Sequence, residues 1–254
     1  MTWTLITGAS AGIGRAFATH LAERGHDLVL TARGVDKLQA TADLARAHGV
    51  RAEVIPSDLS ERGGRLGLLD ELRSRALEID TLVNNAGFGS IGRFADLDAD
   101  RLEAEVELDI QAVVQLTRAL LPPMLAAGRG TIINVASTAA FQPLPTMAVY
   151  AAAKAFVLSF SEALWDEVRD QGVEVIALCP GPTDTDFFTR AGDDGVLTGR
   201  RTADQAVRSC LDALGKGRPY VVDGLVNAVQ AEAGKRAPVR VAIPLARAMV
   251  RRRR

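Results

Sequence analysis

The chain has 254 residues and a mass of 27.0 kDa, enough for a core that stands without disulfide or metal staples. Hydrophobic residues make up 48% and charged residues 24%, a globular balance that argues against disorder and collagen-like repeats. The formal net charge of −1 gives no global case for nucleic-acid binding. No run of about 18 apolar residues occurs, so no transmembrane helix is expected. Thr2-Trp3-Thr4-Leu5-Ile6-Thr7 begins a strand with no basic leader before it, and a cytoplasmic protein is expected. Cys179 and Cys210 sit in apolar settings and read as reduced core residues. His20, His26 and His48 lie apart from one another and from any cysteine cluster, so no metal site is expected.

Taken in chain order, short apolar and β-branched runs predict strands near 2–7, 27–32, 51–56, 79–84, 130–136, 173–179 and 218–223. Helical patterns fill the gaps. Residues 13–24 carry Ile13, Phe17 and Leu21 at helical spacing, and 100–121 and 147–171 are long and amphipathic. Thr202, ahead of Asp204 and Gln205, reads as a helix N-cap. Such alternation predicts βαβ units with right-handed crossovers and a parallel sheet covered on both faces. No linker, composition shift or repeat divides the chain. One domain over 1–254 is expected, with 226–254 a basic C-terminal extension.

The first strand runs into Thr7-Gly8-Ala9-Ser10-Ala11-Gly12-Ile13-Gly14, and a helix follows at once. Glycines let the backbone turn tightly and approach a pyrophosphate. The helix N-terminus offers free N–H groups and a partial positive charge to phosphates. A glycine turn alone is weak, but strand, turn and helix inside a βαβ unit are the confirming context.

The spacing is not that of the standard dinucleotide loop. Thr-Gly-x-x-x-Gly-Ile-Gly resembles the short-chain dehydrogenase/reductase superfamily. Further motifs of that family follow in order: Asp58-Leu59, Asn84-Asn85-Ala86-Gly87, Ser137, Tyr150-Ala151-Ala152-Ala153-Lys154 and Pro180-Gly181-Pro182-Thr183. The resemblance covers about residues 2–225. It implies a Rossmann-like doubly wound α/β fold, with about seven parallel strands and helices on both faces. It also implies a nicotinamide cofactor held by Gly8, Ser10, Gly12, Ile13, Gly14, Asp58, Leu59, Asn84, Ala86, Gly87, Tyr150, Lys154, Pro180, Gly181, Thr183 and Thr185, and a homodimer or homotetramer.

The end of the second strand meets the adenosine ribose in this fold, and an acidic residue there would repel a 2′-phosphate. Here Ala32 stands at that position and Arg33 follows. A guanidinium is the better partner for a phosphate dianion, so the family pattern implies NADP(H) over NAD(H).

Tyr150 and Lys154 are four residues apart on a predicted helix and share one face. A free phenol has a pKa of about 10 and must drop roughly 3 units to exchange protons near neutrality. A nearby ammonium favours the phenolate and is expected to supply much of that drop. By resemblance, Lys154 also bonds the nicotinamide ribose, and Ser137 steadies charge on the substrate oxygen. The expected reaction moves hydride between the nicotinamide and a carbonyl or secondary alcohol, with Tyr150 as general acid/base. An epimerase or dehydratase that reuses Tyr150, and a nucleotide-binding regulator without turnover, are the alternatives.

One position departs from the family pattern. Where an asparagine usually holds a water against the lysine, Asp109 stands. An ionised carboxylate there would offset the lysine's field, raise the Tyr150 pKa and make the activity profile more alkaline, an effect that Asp109→Asn should reverse. A neutral replacement with relay through water is the other reading.

Residues 186–201 read as a loop over the substrate. Phe187 and Phe188, with Phe88, Phe141, Leu144 and Met147, are candidate pocket residues for an apolar carbonyl or alcohol substrate. Residues 235–254 hold eight basic side chains and no acidic one. Pro244 can start a last helix with Leu245 and Met249 on one face and Arg247 and Arg251 on another. Such a segment is either a solvated terminus whose arginines suit the helix dipole or a peripheral contact with anionic membranes.

Overall fold

The computed structural model describes residues 2–185, Phe187, Ala191 and 201–251, apart from the side chains of Leu245 and 248–251. Phe188 and most of the expected 186–201 loop lie outside the described residues. So do the side chains of Leu245, Met249 and Arg251.

Seven strands form one parallel sheet: β1 (Trp3–Thr7), β2 (Asp27–Thr31), β3 (Ala52–Val54), β4 (Ile79–Asn84), β5 (Gly130–Val135), β6 (Val173–Cys179) and β7 (Tyr220–Val222). Their order is β3-β2-β1-β4-β5-β6-β7. Each lies within or close to an expected range, and β3 and β7 are shorter than expected. All five residues of β1 are buried, as a strand covered on both faces requires.

The period-two alternation divides the strand side chains between two cores. Leu28, Leu30, Ile133 and Ile176 pack on one face with Phe17 and Leu21 of α1 (Gly12–Ala22), Leu38 of α2 (Val35–Arg46) and Val207 of α7 (Ala203–Leu211). Leu5, Val29, Leu82, Ile132 and Val175 pack on the other. Their partners there are Leu68 and Leu72 of α3 (Arg62–Ser74), Leu116 of α5 (Ala112–Ala126) and Leu164 of α6 (Ala148–Val168). Cys179 and Cys210 are free and buried, and burial pushes both thiols up.

Three details differ from the sequence pattern. The helix expected over 100–121 is α4 (Ala99–Val106), a π-helical turn (Glu107–Gln111) and α5 in continuous succession. It runs through Pro122 and Pro123 instead of stopping before them. Both prolines are exposed, as are Arg118 and Ala119 one turn earlier. The carbonyls that lose their N–H partners therefore face water, which softens the usual penalty. Finally, Pro244 lies inside the last helix and does not start it. After α8 (Leu225–Arg236), α9 (Val239–Arg251) begins where the Pro238 carbonyl accepts from the Val241 and Ala242 N–H groups. Thr202 does cap α7: its hydroxyl accepts from the Gln205 N–H, and the Gln205 side chain accepts from the Thr202 N–H. No described helix is long and apolar enough to cross a membrane.

The order of strands reverses between β1 and β4. The segments leaving their C-terminal ends diverge to opposite sides and open a crevice, where such sheets bind ligands. The Gly8–Gly14 loop leaves β1 there, and Asn85-Ala86-Gly87 leaves β4.

Candidate functional site

The glycine loop is latched across the crevice. The Thr7 hydroxyl donates to the Val83 carbonyl and accepts from the N–H groups of Asn85 and Ala86, at 2.9 Å each. The Asn85 amide donates back to the carbonyls of Thr7 at 2.9 Å and Gly8 at 3.3 Å. Gly8 has a φ of +65°, and a Cβ there would stand 2.8 Å from the Asn85 amide, so both conformation and space demand glycine. On the other side, a Cβ at Gly12 would stand 3.0 Å from Thr185. The turn after β6 thus closes over the loop. No side chain caps the N-terminus of α1, and its first turn holds no acidic residue. Free N–H groups at a helix N-terminus beside a glycine cradle fit the phosphates of a dinucleotide.

Ser137, two residues beyond β5, caps the 3₁₀ turn Thr138–Phe141, its hydroxyl accepting from the Ala139 N–H at 3.1 Å. Tyr150 and Lys154 lie one turn apart on α6, with the ammonium 5.6 Å from the phenol ring centre. The Lys154 Nζ donates to the Val135 carbonyl at 3.3 Å and stands 3.0 Å from Asp109 Oδ2. The π-helical turn carries Asp109 inward until it is fully buried, and its Oδ1 accepts from the Phe88 N–H at 3.1 Å. Inserted turns of this kind recur at functional sites. The structure therefore brings Ser137, Tyr150, Lys154 and Asp109 together at the C-terminal end of the sheet.

The electrostatics correct one expectation. Burial acts against the Lys154 ammonium, but Asp109 and then Tyr150 outweigh it and hold its pKa above the ordinary lysine value. Burial pushes the Asp109 carboxyl up, against the pull of Lys154. The Tyr150 phenol is not made acidic. Burial raises it above the usual tyrosine value, and Lys154 and Ser137 only partly offset this while Asp109 and Glu105 add to it. The physical reason is first that burial disfavours the charged phenolate, and second that the ammonium's field is offset by a carboxylate in contact with it.

The remaining expected positions divide. Arg33 is exposed at the end of β2, its guanidinium 3.8 Å from Asp58. Asp58 also accepts from the N–H and hydroxyl of Ser60, at 3.0 and 2.6 Å. Ser10, Ile13, Ala86 and Gly87 border the crevice beside the latch. Thr183 donates to the Gly181 carbonyl at 3.0 Å, and Pro180 accepts from the Thr138 N–H at 2.9 Å, so both shape the turn after β6. The Leu59 side chain belongs to the core. The Asn84 amide turns into the sheet, bonding Thr117 at 3.1 Å and Asn134 at 2.9 Å, and is not offered to the crevice. Asn85, next to it, was not among the expected cofactor residues yet holds the loop. Strand alternation, which sends adjacent side chains to opposite faces, was the signal for exchanging the two. Among the pocket candidates, Phe141 is core, packed 5.8 Å from the Tyr220 ring. Phe187 does face the site, 5.1 Å from the Tyr150 ring.

Comparison with known proteins agrees with this geometry. The family model for short chain dehydrogenase matches residues 2–195. A very-long-chain 3-oxoacyl-CoA reductase of Anas platyrhynchos is 36% identical over 185 residues, covering 70% of this chain and 58% of that protein. This chain thus matches somewhat over half that relative's length. A putative ketoacyl reductase of the monensin polyketide synthase of Streptomyces virginiae is 35% identical, over 88% of this chain and 87% of that one. Among solved structures, a short-chain dehydrogenase from Sphingobium yanoikuyae in complex with NADPH superposes with a TM-score of 0.85, at 35% identity and 92% coverage of both chains. Another, from Burkholderia phymatum in complex with NAD, gives 0.80 at 25% identity, over 91% of this chain and 92% of that one. The match along the chain and the shared fold lead to one conclusion: this protein belongs to the short-chain dehydrogenase family and is an oxidoreductase acting on alcohol and carbonyl groups.

Proposed function

We propose that the protein is an NADP(H)-dependent reductase of apolar ketones or aldehydes, with Tyr150 as its general acid. The observation that carries the reading is the convergence of Ser137, Tyr150 and an ion-paired Lys154 beside the latched glycine loop. The loop and the N-terminus of α1 would hold the pyrophosphate. Arg33 would take the 2′-phosphate, in keeping with the NADPH complex of the Sphingobium relative. A bound NADPH supplies the hydride. Ser137 donates a hydrogen bond to the carbonyl oxygen, and Tyr150 gives that oxygen its proton. A phenol held above its ordinary pKa keeps its proton at neutral pH, which suits the reductive direction. Lys154, kept charged by Asp109, favours the phenolate once the proton has left.

Phe187 against Tyr150 supports a substrate with a bulky apolar group beside its carbonyl. The ketoacyl and oxoacyl reductase relatives point the same way. A homodimer or homotetramer through α5 and α6 is part of the proposal, supported by the Phe156 and Phe160 rings stacked 5.9 Å apart with Phe156 exposed.

A panel of apolar ketones and aldehydes, followed by loss of NADPH absorbance, tests the reading. Wild type should consume NADPH, while Tyr150→Phe should lose turnover and still bind NADPH. Tight NADPH binding without consumption across the panel would favour a regulator. Product formed without net NADPH consumption would favour an epimerase or dehydratase.

A further inference from the structure

One turn before Asp109, the same helical run buries a second acid. Glu105, near the end of α4, has no exposed surface, and its carboxylate oxygens make no close hydrogen bond, the Ser90 hydroxyl pulling on them only through a weaker one. Asp109 Oδ2 likewise has no directed hydrogen bond, although it stands 3.0 Å from Lys154 Nζ. Three acceptor oxygens are thus buried within one turn of the same helical run, one of them beside the Lys154 ammonium. The groups facing Glu105 are Ser90 from the segment after β4, Arg101 and Asp109 from its own helical run, and Lys154 from α6. Arg101 already donates to the Ser90 hydroxyl at 3.1 Å and to the Gly89 carbonyl at 3.2 Å. Tyr150, also on α6, feels both carboxyls.

Two ionised carboxylates one helical turn apart, both buried, are strongly disfavoured. A buried acceptor left without a donor is disfavoured as well. One proton resolves both problems. We propose that Glu105 and Asp109 share a proton and present a single negative charge to Lys154, with Glu105 as a positioning residue that keeps this charge constant. Burial chiefly, and then Asp109, push the Glu105 carboxyl up against the pull of Ser90, Arg101 and Lys154, in agreement with a retained proton. The proton moves only between the two carboxyls, so the pair's net charge does not change.

The consequence is a buffered site. If Asp109 becomes neutral, Glu105 loses its like-charged neighbour and ionises in its place, one turn further along the helix. Lys154 then still faces a carboxylate. Only removal of both acids frees the ammonium's full field to act on Tyr150.

The inference rests on Tyr150 being the acid, so the test has one arm independent of turnover. Infrared difference spectra in H2O and D2O should show a protonated-carboxyl stretch in wild type. The band should be lost in Glu105→Gln, and also in Asp109→Asn because Glu105 then ionises. The second arm is the alkaline limb of kcat/KM for reduction, where activity falls as Tyr150 loses its proton. Glu105→Gln, which removes a carboxyl that the proposal holds neutral, should keep the limb in place. Asp109→Asn should move it to lower pH, and the double variant should move it further still. The proposal is overturned by the absence of the band in wild type, by a shifted limb in Glu105→Gln alone, or by Asp109→Asn shifting as far as the double variant. If Tyr150→Phe keeps its turnover, the reading of the reaction fails, while the infrared arm still judges the proton pair.

Discussion

Replacing Lys154 by Met removes the ammonium and keeps most of the side-chain volume. It leaves Asp109 buried without a counter-ion. The two side chains are 7% and 0% exposed at a separation of 3.0 Å, so the discount that applies to surface ion pairs does not apply here. Stranding one partner of a buried pair costs roughly 3–5 kcal/mol, a large share of the about 5–15 kcal/mol that holds a typical domain together. Urea unfolding at neutral pH should therefore show a clearly lower midpoint with an unchanged slope.

The pH dependence of that loss has a definite sign. Without the lysine, the Asp109 carboxyl, already raised by burial, rises further. The native variant then binds a proton that the unfolded chain, with an ordinary carboxyl near about 3.9, releases. The deficit relative to wild type is complete above the raised native value and shrinks as the pH falls through it towards the unfolded value. Lys154→Met/Asp109→Asn should recover part of the loss, because both charges leave together. A wild-type midpoint for Lys154→Met at neutral pH, or a deficit that grows on acidification, would refute the reasoning.

Three further outcomes are expected. Arg33→Asp should raise KM for NADPH by tenfold or more, since a charge-assisted hydrogen bond is worth about 1.5–3 kcal/mol, and should turn the preference towards NADH. The exposure of Arg33 means that its thermal midpoint should barely move. Gly87→Ala would place a Cβ 2.8 Å from Asp109 Oδ1 and 3.1 Å from Lys154 Nζ, and overpacking of this kind costs about 1–3 kcal/mol. Denaturant titration should register that loss, with turnover falling alongside. Thr202→Ala removes the hydroxyl that caps α7 and should cost about 1 kcal/mol in the same assay, with kinetics unchanged.

Chain periodicity made most of the fold legible. The fully buried β1 and the β6 buried at all but Glu174, with short apolar runs and glycine-bearing turns after them, could hardly be anything but covered parallel strands. Expectations failed where a neighbour decided the outcome. The helical pattern reads only to residue 121, but the carbonyls orphaned by Pro122 and Pro123, one turn earlier, lie on an exposed face and the helix continues. Asn84 read as part of the cofactor site, but the Asn134 amide across the β4–β5 pairing and Thr117 take up its amide. Pro244 read as a helix start because nothing in the local pattern showed that Pro238 already opens that helix.

By itself, the order of residues determined the alternation of strands and helices, the glycine turn, and which four side chains could meet at the site. All of these depend on local spacing along one strand or helix. Only the tertiary structure decided how acidic the phenol is and where Glu105 lies. A pKa depends on what surrounds a group and how far water is excluded, and the surroundings of Tyr150 come from segments far apart in the chain.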